Sequence, residues 1–314
     1  MAPSDSSSET EKGRLGPYRV LRILGRGGMA EVFLGEAVEG PRSGAQVAVK
    51  RLLPAAAANP DLVDRFLGEA DLGRLIKHPG LVEVFDAGNF KGAPYLVMEL
   101  VDGRDLAQLL HRCRQGQIDL PVPFCTHIAG RILEALHAVH TAKGNDGTPL
   151  SVVHCDLNPS NVFISRLGEI KVGDFGVAMV GSHERHLGGE VRGKLGYLAP
   201  EQAVGQEVDA RADLYAVGAL LYELLTLERP YVADSLAELV EALSGDPPWA
   251  PSVLRVDVTE GLDEVVMRCL SLSPADRYGD AQAVLDDLLP YRDDRIGNDL
   301  AIASVVRGLF PTES

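Results

Sequence analysis

Apolar and polar residues alternate over short runs in the first third of the chain and then recur at three- and four-residue spacing, which predicts strands first and helices after. Strand-like runs cover 18–24, 31–36, 46–51, 81–90 and 95–100, punctuated by glycine clusters. One helix interrupts them. Asn59 suits its N-cap and Pro60 its first turn, and apolar positions 62, 63, 66, 67 and 70 repeat along one face until His78-Pro79-Gly80 stops it. Past Asp102-Gly103 the helical spacing dominates, near 105–115, 122–141, 209–226, 233–243, 260–271 and 280–289, with a strand-like run at 169–172. Ile302, Val305, Val306, Leu309 and Phe310 share one face of a last helix. That face can dock on the chain's own helical part or hold a partner protein. The pattern divides the chain into a Ser-rich disordered segment 1–16, a β-rich part 17–101 with one helix, a mainly helical part 102–291 and an amphipathic tail 292–314. No repeat of fixed period is evident.

Composition narrows the function classes. The chain of 314 residues can bury two cores. No run approaches the 18 or so consecutive apolar residues that a membrane span needs, and residues 1–12 lack the apolar core of a secretory leader. A net charge of −15 is a poor match for nucleic acid or anionic lipid, and easier to reconcile with a basic or neutral protein partner. Cys113, Cys125, Cys155 and Cys269 show no paired spacing, which argues against disulfides and zinc and for a reducing cytoplasm.

Four segments carry candidate chemistry. Gly25-Arg26-Gly27-Gly28-Met29-Ala30-Glu31-Val32 lies between two strand-like runs, where glycines let backbone N–H groups approach phosphates. In Val47-Ala48-Val49-Lys50 alternation puts Ala48 and Lys50 on one face, a small residue beside a cation, as a flat base next to its phosphates requires. Glu69 on the helix can pair with Lys50 or sit on a solvated face. His154-Cys155-Asp156-Leu157-Asn158-Pro159-Ser160-Asn161 and Asp174-Phe175-Gly176 complete the set, the latter ahead of Ala199-Pro200-Glu201.

In order and spacing these segments resemble the signatures of the protein kinase family, and the wording Gly-Gly-Met-Ala-Glu-Val-Phe resembles its bacterial serine/threonine members. The resemblance covers about residues 17–290. It implies an α+β, two-lobed fold with a small antiparallel β N-lobe holding one helix and a mainly helical C-lobe. It implies transfer of the γ-phosphate of Mg-ATP to serine or threonine of protein substrates, autophosphorylation included. By this resemblance Leu24, Gly25, Arg26, Gly27, Gly28 and Val32 cover the nucleotide. Ala48, Met98, Glu99 and Val101 surround its base, and Asp105 reaches the ribose. Lys50 holds the α and β phosphates and Glu69 positions Lys50. Asp156 is the catalytic base, while Asn161 and Asp174 hold Mg²⁺. Asp213 anchors the catalytic loop and Arg277 pairs with Glu201. His154 is either a packed structural residue or a proton carrier.

Two departures from the family pattern stand out. Cys155 replaces the arginine that receives an activation-loop phosphate, so control by that route is not expected, although Ser182 is a possible target. Cys155 is then an apolar filler or a redox-sensitive thiol. Asn158 replaces a lysine that neutralises the γ-phosphate, and Lys194 stands where the family carries a threonine beside that lysine. The positive charge has either moved to Lys194 or been lost in a decaying site. A nucleotide-binding pseudokinase acting as a scaffold is the alternative these departures raise. It is opposed by the presence of Lys50, Glu69, Asp156, Asn161 and Asp174. A small-molecule kinase is opposed by Ala199-Pro200-Glu201, Asp213 and Arg277.

Overall fold

The computed structural model describes residues 13–174, 178–179, 194–293 and 295–311. Of the segment 1–16 expected to be disordered, residues 1–12 lie outside the described residues, whereas Arg14–Leu15 form a strand that buries Leu15, because an apolar side chain there completes the sheet's core. The readings of Phe175 and Gly176, the glycine at 193 and the target Ser182 also lie outside the described residues. These residues form two compact units, one of 13–77 with 82–100, the other of 78–81 with the described residues from 101 onward.

The first unit is an antiparallel sheet in the order β1-β2-β3-β4-β6-β5. Its strands are β1 (Arg14–Leu15), β2 (Tyr18–Arg26), β3 (Ala30–Ala37), β4 (Gln46–Leu52), β5 (Val84–Phe90) and β6 (Ala93–Glu99). Alternation sends Val47 and Val49 of β4 into one core with Leu15, Tyr18, Phe33, Tyr95 and Val97. Leu52 and Leu96 go to the opposite face, against Phe66 and Ala70 of helix α2 (Pro60–Leu75). A short turn of helix, α1 (Pro54–Ala57), precedes α2 and was not foreseen in the spacing. The Asn59 side chain accepts from the Asp61 N–H, as its N-cap position predicts. The helix ends at Leu75, before the His-Pro-Gly stop, because Ile76 turns extended and is buried. Leu81 likewise stands outside β5, in a lone bridge to Val172.

The second unit is mainly helical. Its axis is α6 (Arg211–Thr226), buried from Ala212 to Leu225, as befits a helix that is apolar all round. Packed on it are α4 (Val122–His140) and α9 (Glu260–Cys269), and α4 also meets α10 (Ala281–Leu288). Between these come α5 (Pro200–Val204), α7 (Leu236–Leu243) and α8 (Pro251–Leu254). Short strands carry the site residues: β7 (Gly103–Asp105), β9 (Val162–Ser165) and β10 (Ile170–Val172) form one sheet, and β8 (Val152–Val153) pairs with β11 (Ala178–Met179). A Cβ on Gly103 would fall 1.9 Å from the Ile164 carbonyl oxygen, so only glycine lets β7 pair this closely with β9.

Of the two readings of the tail, the structure gives docking on the chain's own helical unit. Helix α11 (Asp299–Leu309) buries Ile302, Ala303 and Val306 and meets α3 (Leu106–Gly116). Arg104 and Arg112 lie 5.3 and 5.9 Å from the centroid of the Phe310 ring. At the other end, the Asp299 carboxylate bonds His127 Nε2 at 3.2 Å. The Asp299 carbonyl oxygen lies 1.7 Å from where a side chain on Gly168 would begin, and Gly168 has φ +88°.

Candidate active site

In the first unit the sequence-predicted phosphate residues come together on the α2 face of the sheet. Val32 is the register partner of Lys50, and Ala48 that of Met98. Lys50 Nζ lies 3.1 Å from both carboxylate oxygens of Glu69 on α2, a two-oxygen pairing in which both side chains are largely buried. Of its two readings Glu69 therefore takes the paired one. The glycine-rich segment is the hairpin between β2 and β3, closed by the Gly27 N–H donating to the Ala30 carbonyl at 2.8 Å. Arg26 and Arg51 both pair with the buried Glu31 at its base. A Cβ on Gly25 would meet no protein atom within 4 Å, so packing within the chain does not demand glycine there. Leu24 is exposed beside it.

Asp105, expected at the ribose, is engaged within the chain. Its carboxylate caps α3, accepting from the Gln108 N–H at 2.8 Å. Burial raises its pKa, against the backbone hydrogen bonds that favour the charged form.

In the second unit the catalytic segment is held from below by Asp213 on α6. Its two oxygens accept from the backbone N–H groups of His154 (2.8 Å) and Cys155 (2.9 Å), and His140 Nε2 bonds the same carboxylate at 2.8 Å. Burial opposes ionisation of Asp213, but the His140 imidazole and the His154 N–H outweigh it and hold the carboxyl below its usual range. His154 is buried completely. Its Nδ1 faces the Asp156 N–H (3.3 Å) and its Nε2 the Gly173 carbonyl (3.2 Å), so the ring braces backbone, which is the packed structural reading. Cys155 and Asp174 adopt positive φ, +62° and +53°, a conformation costly for non-glycine residues and characteristic of functional segments.

Above this base the Asp156 carboxylate is fixed from both sides. The Asn158 amide donates to its Oδ1 at 3.2 Å and to the Asp156 carbonyl at 2.8 Å. The Asn161 amide donates to its Oδ2 at 3.0 Å and to the same carbonyl at 2.7 Å. Lys194 Nζ lies 3.6 Å from Asp156 Oδ2. With the Asn161 NH₂ engaged, its carbonyl oxygen is the atom it can offer a cation, and Asp174 can offer a carboxylate. Among the described residues no cluster of three or more His, Cys, Asp or Glu side chains is arranged to hold a metal. A donor set of one carboxylate and one amide oxygen fits an ion that keeps its waters and shares the oxygens of a phosphate.

Three supports of the site lie at positions that no motif marks. The Gln202 side-chain NH₂ donates to the Cys155 carbonyl at 2.9 Å, His140 completes the Asp213 cluster, and Glu223 of α6 accepts from Tyr197, Arg114 and Arg229. The available signal for the last was a glutamate inside the otherwise apolar run 214–225, where a buried charge calls for partners. The Glu201–Arg277 pair is bidentate at 2.7 Å and buried.

The protein kinase domain model matches residues 18–289, a span that includes the Lys50 pair, the Asp156 segment and Arg277. The chain belongs to the protein kinase family. The kinase is 35% identical over 301 residues to the tyrosine-protein kinase MasK of Myxococcus xanthus, covering 95% of this chain and 47% of MasK. It is 37% identical over 301 residues to the probable serine/threonine-protein kinase SCO3848 of Streptomyces coelicolor, covering 93% and 42%. It thus spans less than half the length of these curated relatives. The solved PknI kinase domain of Mycobacterium tuberculosis superposes with a TM-score of 0.67 at 31% identity, covering 89% of this chain and 98% of that one. The fold is accordingly the two-lobed protein kinase fold, with an antiparallel β N-lobe and a mostly helical remainder. The family uses ATP and a divalent metal. Among the described residues no helix is long and apolar enough to cross a membrane.

Proposed function

We propose that this kinase domain transfers the γ-phosphoryl group of ATP to serine or threonine hydroxyls of protein substrates, with Mg²⁺ as its metal. The observation that carries this reading is the Asp156 carboxylate, held by an amide on each oxygen and braced from below by His154 and Asp213. Asp156 is thereby oriented to accept the proton of the substrate hydroxyl. The substrate's hydroxyl oxygen bonds the γ-phosphorus as the bond to the β,γ-bridging oxygen breaks, and ADP leaves with that electron pair. Lys50, steadied by Glu69, takes the α and β phosphates under the glycine hairpin. Asn161 and Asp174 are the residues that would hold Mg²⁺, which when bound neutralises phosphate charge. Ala48, Met98, Glu99 and Val101 take the base, with Asp105 at the ribose as well as at its helix.

Serine/threonine preference is supported by the several relatives named as serine/threonine kinases, among them the PknB of Mycobacterium leprae at 35% identity, although MasK is named a tyrosine kinase. A reducing, cytoplasmic setting is the reading that the spacing of the four cysteines in the sequence supports, since none of them falls in a paired or C-x-x-C arrangement.

The test is transfer of labelled γ-phosphate from Mg-ATP to a basic protein and to the chain itself, beside Asp156→Asn, followed by identification of the phosphorylated amino acid. The expected result is phosphoserine or phosphothreonine, with a rate at least about 100-fold lower in the variant. Phosphotyrosine would overturn the hydroxyl preference. Lys50-dependent ATP binding with no transfer would favour the pseudokinase instead.

A further inference from the structure

Lys194 reaches Asp156 from a different stretch of chain than the one bearing the base, and that stretch is pinned. Residues Leu195–Tyr197 form a 3₁₀ turn whose Tyr197 N–H donates to the Lys194 carbonyl at 3.1 Å. Leu195, Gly196 and Tyr197 are all buried, and a Cβ on Gly196 would fall 2.5 Å from the Tyr231 carbonyl oxygen. The Tyr197 hydroxyl donates to Glu223, which is itself almost wholly buried in α6. Arg114 pairs with the same carboxylate, and Arg229 Nε reaches it at 3.4 Å with its guanidinium 5.8 Å from the Tyr197 ring centroid. Burial and the Glu223 charge push the Tyr197 phenol far up, so it remains a donor at any working pH. Two residues on, the Ala199 N–H donates to Gln202 Oε1, and the Gln202 NH₂ reaches back to the Cys155 carbonyl. Asp156, Lys194, Tyr197 and Gln202 line one small cavity.

The chemistry asks for a cation here. Phosphoryl transfer gains its rate from fixed charges around the transferred group, and such a charge helps only if it is held in place before the reaction. Asn158, beside Asp156, is neutral, and both its amide hydrogens and its carbonyl are taken up by Asp156 and the Ser160 N–H. It orients the base and brings no charge.

We propose that Lys194 is the cation that faces the transferred phosphoryl group, and that Tyr197 and Glu223 are positioning residues that hold it beside Asp156. This rests on the kinase reading and adds a dependence that reading does not contain: the cation is delivered by the 194–198 segment, so loosening the Tyr197–Glu223 anchor removes charge from the site with Asp156 untouched. Lys194 takes part in no bond change. It lowers the cost of negative charge on the phosphoryl oxygens as the hydroxyl oxygen bonds phosphorus, the proton passes to Asp156 and ADP leaves.

The experiment compares the parent, Lys194→Ala, Tyr197→Phe and Glu223→Gln, each with and without Asn158→Lys. It reads kcat for transfer and, by calorimetry with Mg²⁺, the ratio of dissociation constants for ADP and a non-hydrolysable ATP analogue. Lys194→Ala is expected to lower kcat by about 100-fold and to erase most of the preference for the triphosphate. Tyr197→Phe and Glu223→Gln shift both readouts the same way by about tenfold. Asn158→Lys returns all three variants to within about tenfold of the parent, which a merely structural loss would not allow. A Lys194→Ala protein that matches the parent in both readouts overturns the placing of the cation. Anchor variants that lose activity without rescue by Asn158→Lys overturn the positioning role. A parent without Asp156-dependent transfer overturns the kinase reading, and the binding ratio alone then decides Lys194.

Discussion

At the scale of single residues the second unit depends on a few buried charges, and Asp213 is the one with the most to lose. An asparagine there keeps the shape but replaces an acceptor oxygen by a donor facing backbone N–H groups, so Asp213→Asn should cost about 3 kcal/mol in urea denaturation. The sign of its pH dependence follows from the depressed carboxyl. An unfolded aspartate titrates near 3.9, so the stability from Asp213 is complete above that value and lost as pH falls through the lower folded one. The parent should therefore lose stability below about pH 4 more steeply than Asp213→Asn does, measured as denaturation midpoints against pH. Much of this residue-level picture was legible. Alternation along 46–51 put Lys50 and Ala48 on one face, and spacing along α2 made Glu69 a candidate partner. What spacing could not supply is which polar groups meet across distant segments. Nothing near His140 or Gln202 announces that their partners lie at 213 and 155.

At the scale of elements the caps and amphipathic faces do most of the specifying. Asn59 is the one extended residue between α1 and α2, and its side chain satisfies the Asp61 N–H, so Asn59→Ala should destabilise the first unit by about 1 kcal/mol in a thermal melt, with Pro60 in place to keep the helix start. The tail offers a paired comparison. Ile302 is fully buried and Leu300 is 79% exposed two residues earlier on the same helix. Ile302→Ala should cost about 3 kcal/mol and Leu300→Ala no more than about 0.5 kcal/mol, both by denaturant midpoint. Long helices such as α4 and α6 were visible in the pattern because their apolar residues recur over several turns without a glycine or proline cluster to break them. The strands β7, β8 and β11 were not, since segments of two or three residues carry no period and exist only through the neighbour they pair with. Helix α2 stops short of its proline for a related reason. Burying Ile76 in an extended backbone is a tertiary decision, and it overrides the local stop signal.

At the scale of the whole chain, the proposed transfer to protein substrates meets a net charge of −15. A protein this acidic should favour basic peptides, and the advantage should shrink as salt shortens the Debye length from about 10 Å at 0.1 M. KM for a Lys/Arg-rich peptide is expected to rise several-fold between low and high salt while KM for a neutral peptide changes little, in steady-state assays at fixed Mg-ATP. The same view includes the C-terminal helix, whose first residue enters the space a side chain on Gly168 would occupy. Alanine at 168 would bring both a strained backbone and a collision with the Asp299 carbonyl, and it should release α11 as faster amide exchange over 299–309. One methyl group in the β9–β10 turn should thus do the work of a truncation, leaving every residue of the tail present and none of it in place.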